Sequence, residues 1–141
     1  MPKKKVADPF PDYVFDVDVY NMSIAVFFSL ESADSYFHKA WGEKHDYYKE
    51  LMADGAQALA FDYVVPDGRS IHGVLFPNMP QPQVIAHECS HLVDMISEKI
   101  GMPGTMDTTE PRAYLMQFLF DRILEACIKW EEDHPEWRKS E

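Results

Sequence analysis

The sequence is short of cysteine, of long apolar runs and of positive charge, and each shortage excludes a class of protein. Its 2 cysteines, Cys89 and Cys127, are too few for a disulfide framework. No apolar run approaches the ~18 residues that a membrane span requires. No apolar segment follows the lysines of the start, "MPKKKVADPFPDY", so a secretory signal is not expected. We therefore expect a cytoplasmic protein without a membrane partner, whose two thiols are reduced and packed in the core.

Acidic residues greatly outnumber basic ones. The chain has 24 Asp and Glu against 13 Lys and Arg, a formal net charge of -11. Nucleic-acid binding through phosphates requires clustered Lys and Arg, so this function is not expected. The negative charge permits good solubility, or an acidic surface presented to a basic partner.

The order of elements is ββα, ββ, αα within a length typical of one domain. We expect a single domain over 1–141, with tails at 1–12 and 134–141. Pro66–Gly68 predicts a hairpin turn, and Gly101 followed by Pro103 predicts a helix end. The predicted strands are 13–20, 23–29, 58–65 and 69–76, and the predicted helices start at Ser29 or Ser32, near Pro82 and near Thr108.

The stretch "QVIAHECSHLVDMI" carries the chemistry. On a helix each residue advances 100°, so His87 and His91 lie within about 40° of each other and both imidazoles can reach one ion. Glu88 lies about 60° from His91, beside the ion, where a carboxylate can take a proton from a zinc-bound water. Such motifs also arise by chance in helices. Here the opposite side of the helix is apolar, which favours a metal site.

A catalytic zinc site needs a third protein ligand and an open fourth position. Glu110, at the start of the next predicted helix, is the candidate ligand. "DTTE" also fits a capping box, in which Asp107 is the N-cap and Glu110 only supports the helix start. A polar stripe along an otherwise apolar helix favours the ligand interpretation, and it consists of Glu110, Tyr114, Gln117 and Asp121.

Three more residues are candidates for supporting roles. Asp94 could accept the outer N–H of a ligand histidine, or could be an ordinary surface aspartate. Tyr114 could bind an oxyanion, or could be a core tyrosine. His72 could polarise a substrate carbonyl, and Gly73 beside it would let a substrate backbone approach.

With His-Glu-x-x-His on one helix and Glu110 opening the next, the chain resembles gluzincin-type zinc metallopeptidases. It resembles more closely the small metallopeptidase-like proteins encoded in phages and prophages. The segments that carry this likeness are "VYNMSIAVFFS", "IAHECSHLVDMI" and "EPRAYLMQFLF". The resemblance implies His87, His91 and Glu110 as zinc ligands and Glu88 as the general base.

The sequence departs from two related patterns. Metzincins would have Gly and His where this chain has Asp94 and Ser97. Thermolysin-like enzymes carry an aspartate four residues after the third ligand, where this chain has Tyr114. The supporting residues of those enzymes are therefore not carried over.

The expected fold is α+β, a minimal zincin-like domain. It should contain about four strands in an antiparallel or mixed sheet, one covering helix and a two-helix zinc-binding unit. The expected function is hydrolysis of a peptide or protein substrate with one Zn²⁺ per chain, in the host cytoplasm if a phage or prophage encodes it. The alternatives are a zinc-stabilised protein without turnover and an acidic binding protein that acts on a host partner.

Overall fold

The computed structural model describes residues 11–41, 57–64 and 70–138, and it confirms the predicted α+β class. Four strands form one mixed sheet in the order β1-β2-β4-β3. None of the helices in these three ranges combines the length and apolar character needed to cross a bilayer. The strands are β1 (Tyr13–Val17), β2 (Met22–Phe27), β3 (Leu59–Val64) and β4 (Ser70–Leu75), and the helices are α1 (Leu30–Trp41), α2 (Pro82–Ile100) and α3 (Thr109–Asp133).

The sheet consists of two antiparallel strand pairs that are joined by a parallel pairing of their inner strands. β1 pairs with β2 after a single 3-10 turn, and Asn21 ends that turn in the left-handed region with φ 51°. β3 pairs antiparallel with β4, as the hairpin signal predicts, whereas the predicted turn at 66–68 lies outside the described residues. β2 and β4 run parallel, with Ile24 opposite His72. The edges of this sheet are therefore β1 and β3.

Side chains alternate between the two faces of the sheet, and each face packs against different helices. Val26 and Val74 belong to the large core formed with α2 and α3. Phe27 and Leu75 belong to a smaller cluster with Ala33 of α1. The one covering helix and the two-helix unit therefore lie on opposite faces, as predicted.

Local signals set the helix ends. The Ser32 N–H donates to the Ser29 hydroxyl at 3.0 Å, so Ser29 is the cap of α1. Pro82 lies in the first turn of α2, where a missing N–H costs nothing. Gly101 ends α2 with φ 74°, a conformation that favours glycine.

The cysteines are buried and free, as predicted. Burial raises the pKa of both the Cys89 and the Cys127 thiol to about 12. Each therefore behaves as a small apolar side chain at neutral pH rather than as a reactive thiolate.

The structure explains why residue 73 is a glycine, which the sequence alone does not reveal. A Cβ at this position would lie 2.5 Å from the Phe61 ring, which crosses over it from the neighbouring strand. The expectation that Gly73 opens a path for a substrate backbone is therefore wrong, because Phe61 occupies that space.

Each of the two predicted tails contains a residue that is hydrogen-bonded to the folded domain. The Asp12 carboxylate accepts the Phe28 N–H at 2.7 Å and the Ser32 hydroxyl at 2.6 Å. Trp137 is buried, and its indole N–H donates to the carbonyls of Phe28 (3.0 Å) and Phe76 (3.1 Å). Trp137 thus connects the ends of β2 and β4 beneath the end of α3.

Candidate metal centre

The two histidines of the motif converge on one point. The Nε2 atoms of His87 and His91 lie 3.2 Å apart, and both side chains are exposed. Two nitrogens bound to one tetrahedral zinc at ~2.0–2.1 Å would be about 3.3 Å apart, so the observed spacing fits a shared ion. Without a metal, the same distance corresponds to an N–H···N hydrogen bond between the rings.

Glu88 completes the group. Its carboxylate lies within 4.8 Å of the histidine nitrogens, yet only 6% of the residue is exposed. Burial raises the pKa of the Glu88 carboxyl, while the neighbouring His91 and His87 and the Ala60 N–H act in the opposite direction. A carboxylate with a raised pKa is a better proton acceptor, as a general base requires.

The sheet edge holds this carboxylate. The Ala60 N–H donates to Glu88 Oε2 at 3.1 Å. Because β3 is an edge strand, this N–H points away from β4 and is available to a side chain of α2. The sequence does not reveal the role of Ala60, since a main-chain donor has no side-chain signature.

The amphipathic character of α2 exposes the two histidines. Its apolar face packs in the large core through buried residues, while His87 and His91 lie on the opposite side. An ion held by these imidazoles would be accessible to solvent and to a ligand. The buried apolar residues of this helix are Ile85, Cys89, Leu92, Val93 and Ile96.

Glu110 lies in the first turn of α3 and is exposed. It is not in the group of described residues whose ligand atoms lie within 4.8 Å of one another. The capping box does not form as expected, because Thr108 rather than Asp107 is the N-cap and its side chain makes no capping bond. The role of Glu110 as a ligand stays a prediction.

An arginine fixes the turn that leads to Glu110. Arg112 donates to the Thr108 hydroxyl at 3.1 Å and to the Thr105 carbonyl at 3.0 Å. The Thr108 hydroxyl donates in turn to the Thr105 carbonyl at 3.0 Å and also to the Pro103 carbonyl. These bonds give the connection between α2 and α3 a defined path.

The side chains of the polar stripe of α3 are exposed. Tyr114 is 68% exposed, so its interpretation as a core tyrosine is wrong. Gln117 and Asp121 are exposed as well. Asp94, one turn beyond His91 on α2, is also exposed and lies outside the metal-binding group.

His72 lies inside the protein, with only 1% of its surface exposed. Neither ring nitrogen has a hydrogen-bond partner among the described residues. Burial lowers the pKa of His72, and the charge of Lys99 acts in the same direction, while Asp62 opposes them. His72 is outside the His87–Glu88–His91 group. The catalytic role of His72 stays a prediction.

The buried His72 predicts acid sensitivity. Its folded pKa lies below the ordinary value of 6.5, so the unfolded chain binds the proton first as the pH falls. Its contribution to stability is complete above pH 6.5 and is lost as the pH falls through the folded value. We expect His72→Leu to reduce the drop in unfolding free energy between pH ~7.5 and ~5.5, measured by urea denaturation with a chelator present.

His87→Gln, which removes an exposed histidine, is the control for the acid experiment. It should leave the drop nearly as large as in the parent. An equal drop in the parent and in His72→Leu would show that another group causes the acid sensitivity.

Comparisons of the chain with family models, with curated proteins and with solved structures find no match. The resemblance to gluzincins therefore rests on the sequence alone, and the structure adds only the grouping of His87, Glu88 and His91. That group could hold a metal ion.

Proposed function

We propose that the protein is a zinc-dependent hydrolase of peptide bonds. The observation that carries the proposal is the pair of Nε2 atoms 3.2 Å apart, with the buried Glu88 carboxylate beside them. Two imidazoles suit a borderline ion such as Zn²⁺. The choice of peptide substrates follows the gluzincin-like motif, and a phage or prophage origin follows the closer resemblance.

The position of each residue determines its proposed role in metal binding or proton transfer. His87 and His91 would hold the ion through Nε2, and Glu110 would add the third ligand from the start of α3. A zinc ion there would lower the pKa of a water molecule towards ~7 and polarise a carbonyl. Glu88 accepts the proton of the attacking water at a carboxylate oxygen and can return it to the leaving amine. The Ala60 N–H keeps that carboxylate oriented.

The exposure of the site favours turnover over a purely structural metal. Structural zinc sites are closed by four protein ligands, whereas catalytic sites keep a position open. The described group consists of two exposed histidines and one buried carboxylate, that of Glu88. The two histidines can bind an ion without this carboxylate. A buried carboxylate beside an accessible ion has a clear use in hydrolysis.

Metal analysis tests the site. Protein purified without added zinc should contain about one zinc per chain, because two imidazoles and a carboxylate bind this ion tightly. His87→Ala/His91→Ala should lose it, while His134→Ala, a histidine outside the group, should keep it. Zinc content measured by mass spectrometry decides the question. Parental zinc content in the double variant would place the metal elsewhere.

Zinc affinity, measured by competition with a chromogenic chelator, tests Glu110 separately from the histidine pair. Glu110→Ala should weaken zinc affinity by more than about 100-fold, beyond the usual effect of groups that only support a ligand. Glu110→Gln should be nearly as weak, because the neutral amide is a poor zinc ligand. Unchanged affinity in both variants, with zinc lost in the histidine double variant, would leave the pair correct and show that Glu110 is not a ligand.

A further inference from the structure

One face of α3 is exposed along most of the helix and combines apolar with acidic side chains. Its positions fall within about 80° of each other around the helix and extend over about 27 Å. We call it the α3 outer face. It consists of Tyr114, Phe118, Asp121, Glu125, Ile128 and Glu132, all of them exposed.

The apolar members are unusual for a solvated face. Tyr114 is 68% exposed, Ile128 45% and Phe118 38%, and they make up half of the large apolar side chains that are exposed in the described residues. Scattered exposed apolar residues are ordinary, but a row on one helix face indicates a contact surface. The opposite face of the same helix already fills the core. Among the described residues, the outer face is open to solvent apart from the ring contact of Phe118 with Phe15.

The charges on this face specify the partner. Its three charged residues, Asp121, Glu125 and Glu132, are all acidic, and the exposed Lys129 lies beside the face, about 20° beyond Phe118 around the helix. At its margin, the Arg122 guanidinium lies 6.0 Å from the centre of the Phe118 ring and 5.5 Å from that of Phe15. A cation stacked on an aromatic ring at this edge shows the type of contact that the face can make.

We propose that the α3 outer face docks a basic polypeptide segment of a partner protein, in which Arg or Lys alternates with apolar residues. The cations would pair with the three carboxylates and the aromatic rings, and the apolar residues would cover Ile128 and Tyr114. A second copy of this chain is disfavoured, because it would bring like charges together at a net charge of -11. The proposal uses neither histidine of the metal centre and does not rest on the proposed hydrolysis.

A synthetic fluorescein-labelled peptide of arginine and leucine is the probe, and its binding is measured by fluorescence anisotropy. Asp121→Asn/Glu125→Gln should weaken binding by about fivefold to tenfold, as expected for the loss of two exposed ion pairs. The matched control, Glu31→Gln/Glu98→Gln, removes the same charge from exposed positions on α1 and α2. It should change the affinity by less than about twofold.

The aromatic contribution is tested separately. Tyr114→Ala should weaken binding by about fivefold at high salt as well, because stacking on a ring is less screened than an exposed ion pair. Equal weakening in the two charge-removing variants would overturn the proposal, since it would show only general attraction to an acidic protein. Sedimentation that reveals a dimer which Tyr114→Ala dissociates would overturn it too, because a second copy would then occupy the face.

Discussion

Replacing Glu88 with glutamine should reduce cleavage of a chelator-sensitive peptide substrate by on the order of 10²–10⁴-fold, the usual contribution of a positioned acid–base group. The amide keeps the shape of the side chain and can still accept the Ala60 N–H, which lies 3.1 Å from Oε2. It cannot take a proton from water. Zinc content, measured on the same preparation, should equal that of the parent.

Glu88→Asp is the matched variant, since it keeps the charge but draws the carboxylate back by one methylene group. It should keep part of the activity that Glu88→Gln loses. If Glu88→Gln cleaves as fast as the parent while a chelator abolishes cleavage by both, Glu88 is not the base. If neither the parent nor Glu88→Gln cleaves and a chelator lowers the stability of both, the role of the metal is structural.

Trp137→Ala should lower the free energy of unfolding by about 3–5 kcal/mol, as large-to-small changes of buried aromatic residues do. The indole is 7% exposed and packs edge-on against Phe28, with ring centres 5.1 Å apart. Its removal also leaves the carbonyls of Phe28 and Phe76 without their donor. Denaturation in urea, followed by circular dichroism, measures the loss.

Trp137→Phe separates packing from hydrogen bonding. It keeps an aromatic ring and removes the N–H, so it should lose less stability than Trp137→Ala. A denaturation curve of Trp137→Ala that superimposes on that of the parent would show that the segment Pro135–Arg138 does not contribute to the fold in solution.

The sequence predicts much of the local structure because its signals are local. Asn21 marks a turn, and Ser29 caps α1. Pro82 and Gly101 delimit α2. The spacing of His87 and His91 also follows from helix geometry alone, and the structure confirms their convergence.

The remaining features depend on contacts between distant parts of the chain. No residue pattern within β2 or within β4 predicts that these two strands pair in parallel. The Ala60 donor and the Phe61 ring over Gly73 depend on which strand occupies the edge and which lies beside it. The stripe that begins at Glu110 predicts a polar neighbour, but helical periodicity alone does not distinguish a polar neighbour from solvent.

The position of Trp137 has a consequence for the order in which the protein assembles. Its indole N–H joins Phe28, 109 residues earlier, to Phe76, 61 residues earlier. Closing loops of this length costs entropy that is recovered only when several elements dock together. Trp137 can reach both carbonyls only after β2 and β4 have paired. We therefore expect this contact to form after the folding transition state. Its loss should therefore accelerate unfolding and leave the folding rate nearly unchanged.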